Sequence, residues 1–166
     1  MFQIKICSTH DELQELAQLA KEIWNSYFPG IISKEQIDYM VDKYQSLPTL
    51  TKAVKQEGYT YFLGYEEKKL VGYCGVKDEE KRLFLSKLYI HETSRGKGYS
   101  SLLLNRAIDF AKKKNLQSIY LTCNKQNVNS LHIYKYKHFS IIDDRKTDIG
   151  NGFIMDDYVM ELTIWL

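Results

Sequence analysis

Apolar and polar positions alternate at the start of the chain and through much of its second half. Between residues 9 and 56 the apolar positions instead recur every three or four residues. Residues 2–7 (FQIKIC) alternate as a strand. Thr9 or Ser8 then caps a predicted helix that runs to about Tyr27, with Leu13, Leu16, Ala17, Ala20, Ile23 and Trp24 on one face. Asp11 and Glu12 fall in its first turn, where the helix dipole favours negative charge. Phe28, Pro29 and Gly30 break it. Ser33 opens a second helix carrying Ile37, Met40, Val41 and Tyr44, and a short third covers residues 49–56 and stops at Gly58.

The period then changes to two. Strands are predicted over residues 59–65, 70–77 and 82–90, joined by links too short for crossovers, hence an antiparallel meander. A helix over 96–113, a strand over 117–123 and a helix over 127–137 follow. Strands over 139–143 and 158–165 finish the chain, with a hairpin through Asn151 and Gly152. This order gives a mixed α/β (α+β) fold rather than a doubly wound one. The length of 166 residues, without repeat or linker, leads us to expect one domain over 1–166.

Composition narrows the function classes. With 44% hydrophobic and 27% charged residues the chain can build a core. A net charge of +2, with no basic stripe and no aromatic RNA motif, gives no reason to expect nucleic acid. No apolar stretch approaches bilayer length and the first residues lack a secretory pattern, so a cytoplasmic protein without a membrane partner is expected. Cys7, Cys74 and Cys123 are odd in number and widely spaced, which suits neither a disulfide framework nor zinc. His132 and His138 are too far apart to form a helical metal pair, so no metal is expected.

The candidate chemistry begins where Leu88, Tyr89 and Ile90 end a strand and Arg95, Gly96, Lys97, Gly98, Tyr99, Ser100 and Ser101 lead into a helix. A helix N-terminus offers unpaired N–H groups and partial positive charge, and glycines let an anion approach the backbone. Arg95 and Lys97 add charge, and the serines add hydroxyl donors, so the run suits a pyrophosphate. It is neither a Walker A loop nor a G-x-G-x-x-G fingerprint. Glycine and lysine are also ordinary turn residues, so a solvated basic turn fits the same letters.

The run resembles the pyrophosphate motif [RQ]-x-x-G-x-[GA] of the GNAT N-acetyltransferases: Arg95 and Gly98 match, and Ser100 stands where glycine or alanine is usual. Asn127, Ser130, Tyr134 and Phe139 match a second motif of that family, N-x-x-[AS]-x-x-x-Y-x-x-x-G-F, with His138 replacing the glycine. That replacement predicts a different helix C-cap. The resemblance covers about residues 59–163. It implies a mostly antiparallel twisted sheet of six to seven strands flanked by helices and splayed between the fourth and fifth strands. It implies acetyl-CoA as the acyl donor, its pyrophosphate among the amides of residues 96–101 and its pantetheine arm along Leu88, Tyr89 and Ile90. Asn127 and Ser130 belong to the same site, and Tyr134 would be the general acid toward the sulfur. A phenol suits that task because it is protonated at neutral pH.

The base stays open. Ser86 lies where related enzymes often carry glutamate, and Glu92, Asp156, Asp157 or a tyrosine-relayed water could serve. A bulge near Leu88 would free an N–H for the carbonyl, and Cys123 is an alternative acyl acceptor. The segment from Phe153 to Glu161 is similar to the matching strand of polyamine acetyltransferases. With Asp143, Asp144, Asp148, Asp156 and Asp157 it predicts an acidic rim for a small-molecule amine or polyamine, although aspartates are also common in turns. The other expectations are a peptide or protein amine as acceptor, or a non-catalytic acyl-CoA-binding sensor. The assembly is expected to be a monomer or a homodimer.

Overall fold

In the computed structural model, which describes residues 1–164, strand β1 (Phe2–Ile6) leads directly into a helix cap. Thr9 Oγ1 accepts the amide of Glu12 at 3.1 Å, and the Glu12 carboxylate accepts the amides of Ser8 and Thr9, both at 2.9 Å. This reciprocal box starts α1 (His10–Tyr27) and selects Thr9 over Ser8 as the cap. Lys5 reaches the same carboxylate at 2.5 Å. The Lys5 ammonium first, and the Thr9 amide next, hold the Glu12 carboxyl down to about 2.

Ser33 caps α2 (Lys34–Gln45), as its position predicts. Helix α3 (Leu47–Gln56) starts two residues earlier than the pattern suggests, because Pro48 sits in the first turn, where a missing N–H costs nothing. Strands β2 (Tyr59–Glu66), β3 (Lys69–Asp78) and β4 (Arg82–Ile90) form the expected antiparallel meander. After a 3-10 turn at Glu92–Ser94 come α4 (Tyr99–Lys113), β5 (Ser118–Asn124) and α5 (Val128–Tyr136). Helix α4 begins at Tyr99 and not at Gly96, since Gly96 and Gly98 are left-handed, with φ of 79° and 81°.

The largest departure from the pattern is the final hairpin. Strands β6 (Ser140–Gly150) and β7 (Phe153–Thr163) are eleven residues each, β6 about twice the predicted length and β7 starting five residues before its predicted start. Aspartates at 143, 144, 148, 156 and 157 disguise the inner halves, because aspartate is depleted in strands. Cross-strand pairing from Ser140↔Glu161 to Gly150↔Phe153 overrides that propensity, and the turn falls at Asn151 and Gly152 as predicted. Trp165, the predicted end of the last strand, lies outside the described residues.

The seven strands lie in the order β1-β2-β3-β4-β5-β7-β6, antiparallel except for β4 and β5. That parallel pair holds only at Arg82↔Ser118, Leu83↔Ile119 and Phe84↔Tyr120. Beyond it the strands part, so one edge of β4 from Leu85 to Ile90 faces the gap without a strand partner. The register with β3 skips Ser86, placing a bulge two residues before the expected position near Leu88. One sheet face packs Leu103, Leu104, Ala107 and Leu131 of α4 and α5; the other packs Leu13, Leu16, Ala20 and Leu50 of α1 and α3. Each fully buried leucine contributes about 1.5–3 kcal/mol. Helix α2 meets Ile149 of β6 in a third cluster with Trp24 and Phe28, walling the gap on the α1 side. No described helix is long and apolar enough to cross a membrane.

Candidate active site

Two clefts meet where β4 and β5 part. The first, about 220 Å³, lies over the free edge of β4. It is lined by Leu88, Tyr89, Ile90, Arg95, Gly96, Gly98, Tyr99, Ser100, Ser130 and Tyr134, and by three residues the sequence did not single out, Tyr27, Ile133 and Lys137. A Cβ added at Gly96 or Gly98 would meet nothing within 4 Å, so the turn between strand and helix opens onto free space. Gly98 is the N-cap of α4 and supplies no side chain, which leaves the first-turn amides of the helix without a protein cap. Unpaired amides, a positive helix end and an open glycine turn together accommodate a pyrophosphate.

The side chains of the loop divide their work. Arg95 donates Nε to the Ile90 carbonyl at 3.0 Å and lies over the Tyr27 ring at 5.2 Å, which keeps its charge at the cleft. Lys97 turns away, held by Glu66 at 2.8 Å, with Tyr99 (2.5 Å) on the same carboxylate oxygen and Ser94 Oγ on the other at 3.4 Å. The Lys97 contact, then that of Tyr99, lowers the Glu66 pKa. Phe2 stacks on Tyr99 at 4.0 Å. The expected lysine charge is therefore spent on anchoring the loop to β2. Lys137, which lines the cleft, donates to Ser101 Oγ. Ser101 thus supports the cleft from behind rather than lining it.

Asn127 caps α5 by accepting the Ser130 amide at 3.3 Å. Tyr27 of α1 donates its hydroxyl to Asn127 Oδ1 at 3.0 Å and sits 2.7 Å from Ser130 Oγ. The sequence places Tyr27 only at a helix end, because its partners lie about a hundred residues away. At the other end of α5, His138 adopts φ 75°, the left-handed conformation of the glycine it replaces. The His138 amide reaches Lys135 O at 3.0 Å and the Phe139 amide reaches Tyr134 O at 2.9 Å. This is the Schellman closure, so the expectation of a different cap is wrong. An imidazole-bearing residue tolerates that φ at a cost. The hydrophobic contact of the motif is Tyr134 against Phe139, edge to face at 5.4 Å.

Tyr134 and three neighbours, Leu88, Tyr89 and Ser130, line both clefts. Burial first, then the phenols and thiols around it, raise the Tyr134 pKa well above that of a free phenol, so it is a proton donor throughout the neutral range. The second cleft, about 140 Å³, is walled by Trp24, Phe28, Ile32, Met40 and Met155 and carries Ser86, Lys87, Cys123, Asn127 and Asp157. Burial pushes the Cys123 thiol up to about 12, which removes it as a nucleophile. Burial also brings Lys87 down to about 8; its ammonium reaches Ser86 Oγ at 3.0 Å.

The acidic rim does not form as one surface. Lys125 pairs with Asp144 at 3.6 Å and Asp156 at 3.0 Å, while Asp143 and Asp148 accept backbone amides of their own strand. Alternation along β7 sends Asp156 and Asp157 to opposite faces, and Asp157 alone lines the cleft. Glu92 lies in the 3-10 turn, among the lining residues of neither cleft. Among the described residues no group of three or more His, Cys, Asp or Glu could hold a metal.

Comparison with known proteins accords with this geometry. Residues 15–139 match the acetyltransferase (GNAT) family. A spermidine N(1)-acetyltransferase of Thermoplasma acidophilum is 28% identical over 150 residues, 88% of this chain and 91% of that protein. The crystal structure of a PaiA N-acetyltransferase from the same organism, in complex with coenzyme A, superposes with a TM-score of 0.80 at 22% identity, covering 97% of this chain and 99% of that one. The ribosomal-protein-S18-alanine N-acetyltransferase of Escherichia coli shares the fold at a TM-score of 0.71 and 16% identity, over 100% of this chain and 96% of that one.

Proposed function

The chain belongs to the GNAT acetyltransferase family, and from that premise we propose that it transfers the acetyl group of acetyl-CoA to the primary amine of a small molecule. We read residues 1–166 as one catalytic domain working in the cytoplasm. The observation that carries the reading is the meeting of the two clefts at Tyr134. One cleft offers an anion cradle and a free strand edge; the other, with apolar walls on one side and polar side chains on the other, takes a separate molecule.

The residues present fit coenzyme A. The amides of residues 96–101, with Arg95 and Lys137, hold the pyrophosphate. Leu88, Tyr89 and Ile90 offer the unpaired edge of β4 to the amides of the pantetheine arm, in the manner of an added strand. Asn127 and Ser130, tied together by Tyr27, hold α5 so that Tyr134 faces the sulfur. Bound there, acetyl-CoA supplies an activated thioester. The bulge at Ser86 disturbs the ladder next to that point and provides an N–H to polarise the carbonyl. Tyr134 protonates the departing thiolate.

The amine class follows the 28% identical relative named for spermidine acetylation. The test is thiol release from acetyl-CoA against a panel of diamines, spermidine, spermine, amino acids and a short peptide. Wild type should acetylate at least one small amine, and Tyr134→Phe should lower kcat about 100-fold with little change in the KM for acetyl-CoA. Tight coenzyme A binding without acetylation of any amine would instead mark an acyl-CoA-binding module.

A further inference from the structure

We propose that Asp157 is the group that binds the acceptor's ammonium and removes its proton, so that the base of this enzyme sits on β7 and not on β4. The inference rests on the acetyltransfer reading above and assigns a role that the sequence left open.

Position argues for it first. Among the described residues Asp157 is the only carboxylate that lines the second cleft, which Tyr134 lines as well. The residue is 8% exposed, and its buried Oδ1 has no hydrogen-bond partner among the described residues. A buried carboxylate oxygen without a donor is costly unless a ligand supplies one. An ammonium entering the cleft is the donor that fits. Trp24, Phe28, Ile32, Met40 and Met155 wall the cleft beside the polar side chains of Ser86, Thr122, Asn124 and Asn127, so the rest of the acceptor is held by packing and hydrogen bonds together.

Charge supports the same role. Burial first, then the neighbouring Asp156, raises the Asp157 carboxyl to about 6, while Arg145 of β6 and Lys125 after β5 pull weakly the other way. After burial, Asp157 also helps to raise the Cys123 thiol of the second cleft and, behind Tyr27 and Cys123, the Tyr89 phenol. Lys87 faces the cleft from β4 without an ion pair to Asp157. Relative to an ordinary aspartate, the raised carboxyl closes the proton-transfer gap to an alkylammonium by about a hundredfold.

Asp157 Oδ1 takes one proton from R–NH3+, leaving the amine lone pair to form the C–N bond at the thioester carbon. The C–S bond breaks with its electron pair on sulfur. Tyr134 gives sulfur its proton and recovers one from the nitrogen. The products are the amide, the free thiol and protonated Asp157, which returns its proton to water.

The experiment measures kcat/KM for the amine from pH 5 to 9 at saturating acetyl-CoA, for wild type, Asp157→Asn and Asp157→Glu, with coenzyme A affinity read by calorimetry. Wild type should rise through about pH 6 and level off above pH 7. The asparagine variant should lose about 100-fold in kcat/KM and lack the limb near pH 6, glutamate should restore part of the rate, and coenzyme A affinity should stay within twofold. Two outcomes overturn the assignment while acetyltransfer stands: the asparagine variant within threefold of wild type, or a wild-type profile climbing with unit slope to pH 9. The second needs no variant to fold. A wild type that acetylates no amine at all overturns the functional reading itself.

Discussion

The Tyr134 carbonyl accepts the Phe139 amide at 2.9 Å while the two rings meet edge to face at 5.4 Å. One helix terminus therefore fixes both the backbone and the ring of the proposed acid. Immediately before Phe139 stands His138, held at φ 75°.

His138→Gly should stabilise the protein. A side chain in the left-handed region costs about 1–2 kcal/mol, offset in part by the extra freedom glycine has when unfolded. The expected net gain is about 1 kcal/mol, a rise in Tm of about 2–4 °C by scanning calorimetry. Because the Schellman bonds are backbone bonds, kcat should stay within twofold.

Lys97 and Lys137 should separate in cofactor binding. Lys97 is already paired with Glu66 at 2.8 Å, whereas Lys137 lines the cleft. Lys137→Ala should raise the KM for acetyl-CoA about tenfold, the loss of one charge-assisted contact, and Lys97→Ala less than threefold. The Lys137 effect should shrink as salt is added to the assay.

Tyr27→Phe should loosen α5 without touching the chemistry directly. It strips the hydroxyl from Asn127 Oδ1 and Ser130 Oγ, both in a partly buried setting. The cost should be about 1–2 kcal/mol in urea unfolding, with a several-fold higher KM for acetyl-CoA.

Glu12 should make stability depend on acid. Its carboxyl is lowered from 4.5 to about 2 in the folded state, so its contribution is complete above pH 4.5 and disappears as the pH falls through about 2. Glu12→Gln should cost about 1–2 kcal/mol at pH 7, and the gap to wild type should close between pH 5 and pH 2 in chemical unfolding.

Asp157 has the opposite sign. Its carboxyl is raised from 3.8 to about 6, so the folded state holds the proton more tightly and burial of the charge destabilises above pH 6. Asp157→Asn should therefore stabilise the free enzyme by about 2–3 kcal/mol at pH 8. The gain should fade below pH 6 and vanish below about pH 4, as followed by urea unfolding across that range.

By itself the sequence determined whatever is local. The Thr9 box, the Ser33 cap, the Asn151-Gly152 turn and the strand–glycine–helix run at residues 88–101 are short-range patterns, in which backbone sterics and unpaired helix-end groups leave few alternatives. The order of elements followed from them, and so did the anion loop and the α5 motif. Only the tertiary structure decided which distant groups meet. Tyr27 reaches Ser130 because α1 packs beside the site; Glu66 captures Lys97 because the end of β2 lies under the loop. Among the described residues Asp157 became the single carboxylate of the second cleft because β7 extends past its apparent start and its pleat separates neighbouring aspartates. Burial, which turns an ordinary aspartate into one that holds its proton to about pH 6, is a property of packed surroundings and has no counterpart in a run of residues.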